Sequence, residues 1–279
     1  MDKRLFIIGE PGAGKSTFLA ALWYSVNQKD VSMSLKLKRH EGDSNYLYML
    51  ERSWLEASEI ERTSIGNENY EITLLLEDSY GNDIHLSFPD LSGETFQRIY
   101  DNRKIAPKIY EQITASDAIA LFIKIDNINE PDLISELSGE FRQETNTPKD
   151  ERIPSNDDST QIQIIDLLQV ISCIRQKNVK LGIILSAWDL QMKLNSPKSP
   201  ETFLQERLNM LWQYLESNKE LYDVSVWGVS ALGSPIEECN KYLDLDCQVE
   251  RIKVINTVGQ SSNDITSIIF NILGDINNE

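Results

Sequence analysis

The chain has 279 residues, 41% of them hydrophobic and 25% charged, with 27 Lys plus Arg against 44 Asp plus Glu for a net charge of −17. That composition excludes a disordered tail, a collagen-like rod and a small disulfide scaffold, and the acidic surface argues against nucleic acid or anionic lipid as a partner. The longest apolar runs span only a few residues, as in Leu5-Phe6-Ile7-Ile8, so neither a membrane span nor a signal peptide is expected. Cys173, Cys239 and Cys247 show no CxxC spacing, and His40 and His85 lie far apart. A reducing, cytoplasmic setting follows, with no zinc site and no histidine-based nucleophile pair.

In chain order, Arg4 to Ile8 reads as a buried strand ending in a glycine-rich turn from Gly9 to Gly14. Lys15 to Asn27 follows as a helix, with Phe18, Leu19, Leu22, Trp23 and Val26 at helical spacing. The alternation V-S-M-S-L-K-L-K predicts a half-buried strand at Val31 to Lys38. Ser44 to Ser58 carries Tyr46, Leu47, Leu50, Trp54 and Leu55 as a helix, with a polar loop after it at Glu59 to Asn69. Its apolar stripe is read as core-facing.

Tyr70 to Asp78 and Asp83 to Phe88 flank the turn residues Ser79-Tyr80-Gly81-Asn82, the pattern of a hairpin. Ala118 to Ile125 is a continuous apolar strand. The acidic stretch from Asn127 to Thr160 reads as an insertion or mobile loop. Then come a helix at Gln161 to Gln176, a strand at Val179 to Leu185, a helix at Ser199 to Asn218 and a strand at Val224 to Val229. Ser234 to Asp246 reads as helical, Val249 to Ile255 as an edge strand and Asn263 to Leu273 as a closing helix. Strands alternating with helices predict an α/β, three-layer fold: a mostly parallel sheet with one antiparallel strand from the hairpin. We expect one domain over 1–279, with insertions around 31–62 and 127–160 and a C-terminal extension at 234–279.

Gly9-Glu10-Pro11-Gly12-Ala13-Gly14-Lys15-Ser16 matches G-x-x-x-x-G-K-[ST] between a predicted strand and a predicted helix. Glycines let the backbone curl so that consecutive N–H groups face one anion, and the helix adds the positive end of its dipole. Lys15 supplies a charge for the β- and γ-phosphates, and Ser16 a hydroxyl for Mg2+. Gly9, Pro11, Gly12, Ala13, Gly14, Lys15, Ser16 and Thr17 are therefore the expected phosphate-side contacts.

Asp90-Leu91-Ser92-Gly93-Glu94 closes the second hairpin strand. Asp90 there suits the Mg2+ water shell opposite Ser16, and Gly93, lacking a Cβ, can bring its N–H to a γ-phosphate. Ser186-Ala187-Trp188-Asp189 follows a strand, so Asp189 is placed to accept from guanine N1–H and N2–H2, a donor pair that adenine lacks. An ordinary helix cap is the alternative role for Asp189. Ser230-Ala231-Leu232 follows the next strand, where its amides can meet the guanine O6.

These elements, in this order, resemble the P-loop GTPases of the Ras-like and translation-factor class over roughly residues 3 to 235. More narrowly, G-E-P-G-A-G-K-S-T-F-L-A-A-L-W, D-L-S-G-E and S-x-W-D resemble the bacterial double-GTPase proteins of predicted conflict systems. The resemblance implies a three-layer P-loop NTPase fold, GTP and GDP as ligands, Mg2+, and a protein partner or activator. Where the family has N-K-x-D or T-K-x-D, this chain has Ser186 and Ala187, leaving Trp188 or Leu232 to cover the base. Glu94 stands where many members have Gln, as a base or as a brake on turnover. The first-switch threonine, which closes over Mg2+ in the family, corresponds to Thr63, with Ser64 as the alternative, and Arg62 beside it is either a solvated surface charge or an arginine finger in cis. The implied function is a Mg2+-dependent GTP-binding switch with slow or partner-stimulated hydrolysis. Other readings are an ATPase of the NACHT type, which lacks here its usual run of acids after a strand, and a non-hydrolysing nucleotide-locked module.

Overall fold

The computed structural model describes residues 2–28, 31–58, 72–88, 94–130, 152–242 and 244–274. Its first strand, β1 (Lys3–Gly9), is apolar at successive positions because both faces are covered. Alternate side chains go to opposite layers: Leu5 and Ile7 join one core, Phe6 and Ile8 the other. From β1 the chain runs through α1 (Lys15–Asn27), β2 (Leu35–Glu41), α2 (Ser44–Leu55), β3 (Ile72–Asp78) and β4 (Asp83–Phe88). It continues as α3 (Glu94–Asn102), α4 (Pro107–Ala115), β5 (Ala118–Lys124), α5 (Pro154–Asp157), α6 (Thr160–Arg175) and β6 (Val179–Ser186). The last part is α7 (Asp189–Met192), α8 (Pro200–Arg207), α9 (Asn209–Ser217), β7 (Tyr222–Ser230), β8 (Lys253–Ile255), β9 (Ser261–Ser262) and α10 (Thr266–Leu273).

The strands form one nine-stranded sheet in the order β2-β3-β4-β1-β5-β6-β7-β8-β9. Its middle, β4-β1-β5-β6-β7, is parallel throughout. One core packs α1, α2 and α10 on one face, and the other packs α3, α4, α6, α8 and α9 on the opposite face. This is the expected three-layer α/β arrangement. The central parallel strands all point their C-terminal ends to one edge, which gathers the loops after β1, β6 and β7.

Several boundaries differ from the sequence expectation, each for a local reason. The hairpin gives the expected reversed strand, β3. A second, β8, runs antiparallel to β7. The segment between them carries 3-10 turns at Ile236–Tyr242 and Gln248–Arg251 rather than the α-helix expected over 234–246. Without a crossover helix, the chain returns beside β7 in the opposite direction.

β2 begins at Leu35, not at Val31. The Ser34 amide and hydroxyl are taken by the Asp264 carboxylate, at 2.8 and 2.6 Å, before pairing with β3 starts. The helix expected over 199–218 is broken at Leu208, whose φ/ψ of −124°/47° is not helical. Gln161 Oε1 caps the restart by accepting from the Met210 and Leu211 amides at 2.9 and 3.2 Å. Helices α3 and α4 occupy a stretch where no element was expected. The described end of the acidic insertion is not a free loop either. It forms α5, and Ser155 donates twice to Asp101 of α3, both at 2.8 Å.

Candidate functional site

The loop at 9–14 bends back because its glycines permit it. Gly12 and Gly14 have φ of 73° and 88°, the left-handed region that an L side chain disfavours. Gly14 is the N-cap of α1 and provides no side-chain cap, so no capping side chain covers the positive end of that helix. Lys15 is 2% exposed, and its ammonium donates to the carbonyls of Gly9 (2.8 Å) and Glu10 (2.9 Å). The charge is thereby held against the loop rather than spread into solvent. Ser16 follows it in the first helical turn, half-buried.

Glu10 contributes the opposite charge. Its Oε1 is buried and has no hydrogen-bond partner among the described residues. Burial pushes its carboxyl pKa up, and the Lys15 charge opposes that shift.

The second wall comes from the end of β6. Ser186 Oγ donates to the Ala13 carbonyl at 2.8 Å, and a Cβ on Gly14 would lie 2.9 Å from the same oxygen. The loop after β6 thus braces the loop after β1. Ala187 then takes φ 57°, an unusual conformation for a residue with a Cβ. That turn sends Trp188 inward. Its ring is 1% exposed, packs edge-on to Phe203 at 5.6 Å, and lies so close to Gly228 that a Cβ there would be 2.5 Å from it. The expectation that Trp188 covers a base is therefore corrected: it is a core anchor outside the cavity lining, whereas Leu232 is one of the apolar residues at the cavity wall.

Asp189 opens α7 and is 8% exposed. Its Oδ1 accepts from Ser230 Oγ at 2.8 Å, and Ser230 Oγ accepts in turn from the Gly233 amide at 3.0 Å. The carboxylate is oriented by the loop after β7, and the N-cap position of α7 belongs to Trp188.

These pieces surround one cavity of about 380 Å³. Gly12, Gly14 and Thr17 of the glycine loop and α1 line it, together with Asp189, Ala231 and Leu232 from beyond β6 and β7. Phe18 and Phe122, stacked edge-on at 5.0 Å, also line it. So does Lys124, ion-paired to Asp126 at 3.1 Å. Sequence reasoning missed Lys124. The signal was its place at the end of β5, in register with Ser186 of β6. It also missed the brace from Ser186 to Ala13, which spans 173 positions and leaves no local mark in the sequence.

Glu94 is the exposed first residue of α3. Arg62, Thr63, Ser64, Asp90 and Gly93 lie outside the described residues. Among the described residues, no group of three His, Cys, Asp or Glu is arranged to hold a metal. Ser16 and Thr17 bring hydroxyls to the first turn of α1, oxygen donors of the type that suits Mg2+ when the ion is held jointly with a phosphate rather than in an all-protein cage.

A family model described as Double-GTPase 1 matches residues 6–272. A structure described as nucleolar GTP-binding protein 1 from Plasmodium falciparum aligns at 12% identity and TM-score 0.41, covering 86% of this chain and 83% of that one. The GTPase-like domain of S. cerevisiae Ski7, bound to GDP and inorganic phosphate, aligns at 15% identity and TM-score 0.45, covering 83% of this chain and 43% of that one. The GTP-bound form of that domain aligns at 16% identity and TM-score 0.40, with 84% and 44% covered. The chain therefore spans less than half the length of the Ski7 structures. A search of curated proteins finds no match.

Proposed function

Because the chain belongs to the Double-GTPase 1 family, we propose that it is a Mg2+-dependent GTP-binding switch whose hydrolysis is slow or is stimulated by a protein partner. The resemblance to conflict-system GTPases extends the proposal to a prokaryotic defence setting. The observation that carries the nucleotide reading is the single cavity joining the glycine loop to Asp189. It offers hydrogen-bond donors for a polyphosphate on one side and an oriented carboxylate on the other, within one volume.

Each side has a defined task. The N-terminal end of α1 and the Lys15 ammonium bind the β- and γ-phosphate oxygens, which replace the Gly9 and Glu10 carbonyls as acceptors for Lys15. Ser16 and Asp90 are the residues that would hold Mg2+, and the ion would neutralise charge on the β- and γ-phosphates. Asp189 accepts two hydrogen bonds from guanine N1–H and N2–H2. Adenine presents a lone pair at N1 instead, which the carboxylate repels. Ser230 holds the carboxylate in that orientation. Gly93 and Thr63 are the proposed γ-phosphate sensors, and Arg62 the charge supplied in cis. Glu94, standing where a glutamine would orient water, slows turnover through repulsion from the γ-phosphate.

The test is displacement of labelled GTP from the purified protein, with and without Mg2+. Unlabelled GTP and GDP should compete and ATP should not. Equal displacement by ATP would move the protein to the ATPase reading, and phosphate release separates a slow enzyme from a nucleotide-locked module.

A further inference from the structure

Trp54 is a fully buried side chain on α2, and nothing in the nucleotide reading uses it. Its indole Nε1 donates to the carbonyl of Ala231 at 2.9 Å, joining α2 to the loop after β7. Arg251, also fully buried, stacks its guanidinium 3.7 Å from the centre of the Trp54 ring and donates to the Trp54 carbonyl. Tyr24 packs on the same ring, with centroids 5.1 Å apart. The end of the loop is fixed too. A Cβ on Gly233 would sit 2.4 Å from the Arg251 carbonyl oxygen, and the Tyr242 hydroxyl donates to the Gly233 carbonyl at 3.1 Å.

The peptide plane converts this anchoring into a direction. In a trans peptide the C=O and the following N–H point opposite ways. With the Ala231 carbonyl held toward α2, the Leu232 amide points away from α2. Ala231 and Leu232 both line the cavity.

We propose that Trp54 is a positioning residue for base recognition: its indole N–H sets the loop at 230–233 so that the loop's amides face the 6-oxo group of a bound purine. This rests on the GTP reading above. It assigns α2, a helix inserted between β2 and β3, a part in nucleotide specificity rather than in packing alone.

The test uses the full chain and three ligands: GTP, ITP and 6-thio-GTP, the last keeping N1–H and N2–H2 but carrying sulfur, a weak acceptor, in place of the 6-oxygen. Trp54→Phe keeps a ring for Arg251 and Tyr24 but has no N–H. Benzothienylalanine at position 54 keeps the two-ring shape with sulfur in place of the N–H, and decides the matter if the Phe variant does not fold. Both variants should bind GTP and ITP roughly three- to ten-fold more weakly, the loss of about one hydrogen bond. The loss for 6-thio-GTP, whose sulfur gains little from the aligned amides, should be clearly smaller. An equal loss for all three ligands shows a structural role only and overturns the proposal, as does no loss. If the wild-type chain binds none of the three, the GTP reading itself fails, and that outcome is visible before any variant is made.

Discussion

At the scale of single residues, the site rests on a few atoms whose replacement has a defined sign. Lys15→Ala removes the ammonium that bridges the Gly9 and Glu10 carbonyls and should abolish GTP binding in an equilibrium titration. Asp189→Asn exchanges an acceptor for a donor beside the purine 2-position. It should lower GTP affinity at least ten-fold relative to xanthosine triphosphate, the cost of about one mismatched hydrogen bond in a buried site. An unchanged GTP-to-XTP ratio removes Asp189 from the base site. Glu10 makes a pH prediction. Burial holds its folded pKa above the ordinary value, so its contribution to stability is full below the unfolded pKa and is lost as pH rises through the folded one. Glu10→Gln should therefore melt higher than wild type at pH 7, with the advantage shrinking on acidification through the carboxylate range. Because one negative charge also leaves the phosphate end, GTP should bind the variant more tightly. The glycine loop between β1 and α1 and the place of Asp189 just beyond β6 were legible because the local pattern of residue types marks both boundaries. Trp188 was misread because nothing in S-A-W-D announces that Ala187 takes a positive φ and turns the next ring into the core.

At the scale of elements, packing sets how accurately the loops are held. Trp188 fills the space above Gly228, which has no room for a Cβ. Gly228→Ala should cost about 1–3 kcal/mol by overpacking. Since Asp189 follows Trp188 directly, it should also weaken GTP binding, as a melting curve and a titration on the same sample will show. A melting change without an affinity change would detach the anchor from the site. Strands were the most readable elements, since β1, β5 and β6 are apolar at consecutive positions for the single reason that both faces are covered. Their neighbours were less so. The break at Leu208 depends on Gln161 capping from another helix, and the start of β2 depends on Asp264 near the far end of the chain. Neither partner is within reach of a local pattern.

At the scale of the whole molecule, a net charge of −17 surrounds a site that must attract a polyanion. The Lys15 charge, the α1 amides and the proposed Mg2+ work against that background. Self-repulsion destabilises a compact acidic chain and is screened by salt, so the melting temperature should rise between low and physiological ionic strength. A falling temperature would mean that specific ion pairs outweigh the net charge. The overall α/β order was visible in the alternation of strand and helix patterns. The second reversed strand was not, because β8 is three residues long and its direction is set by the turns before it.

The most direct check is calorimetric titration of the wild-type chain with GTP in Mg2+, repeated with ATP and with the Lys15→Ala variant. A saturable heat for GTP that is lost with ATP and lost in the variant is the predicted result. Equal heats from the two purines, or binding that survives Lys15→Ala, would contradict the account.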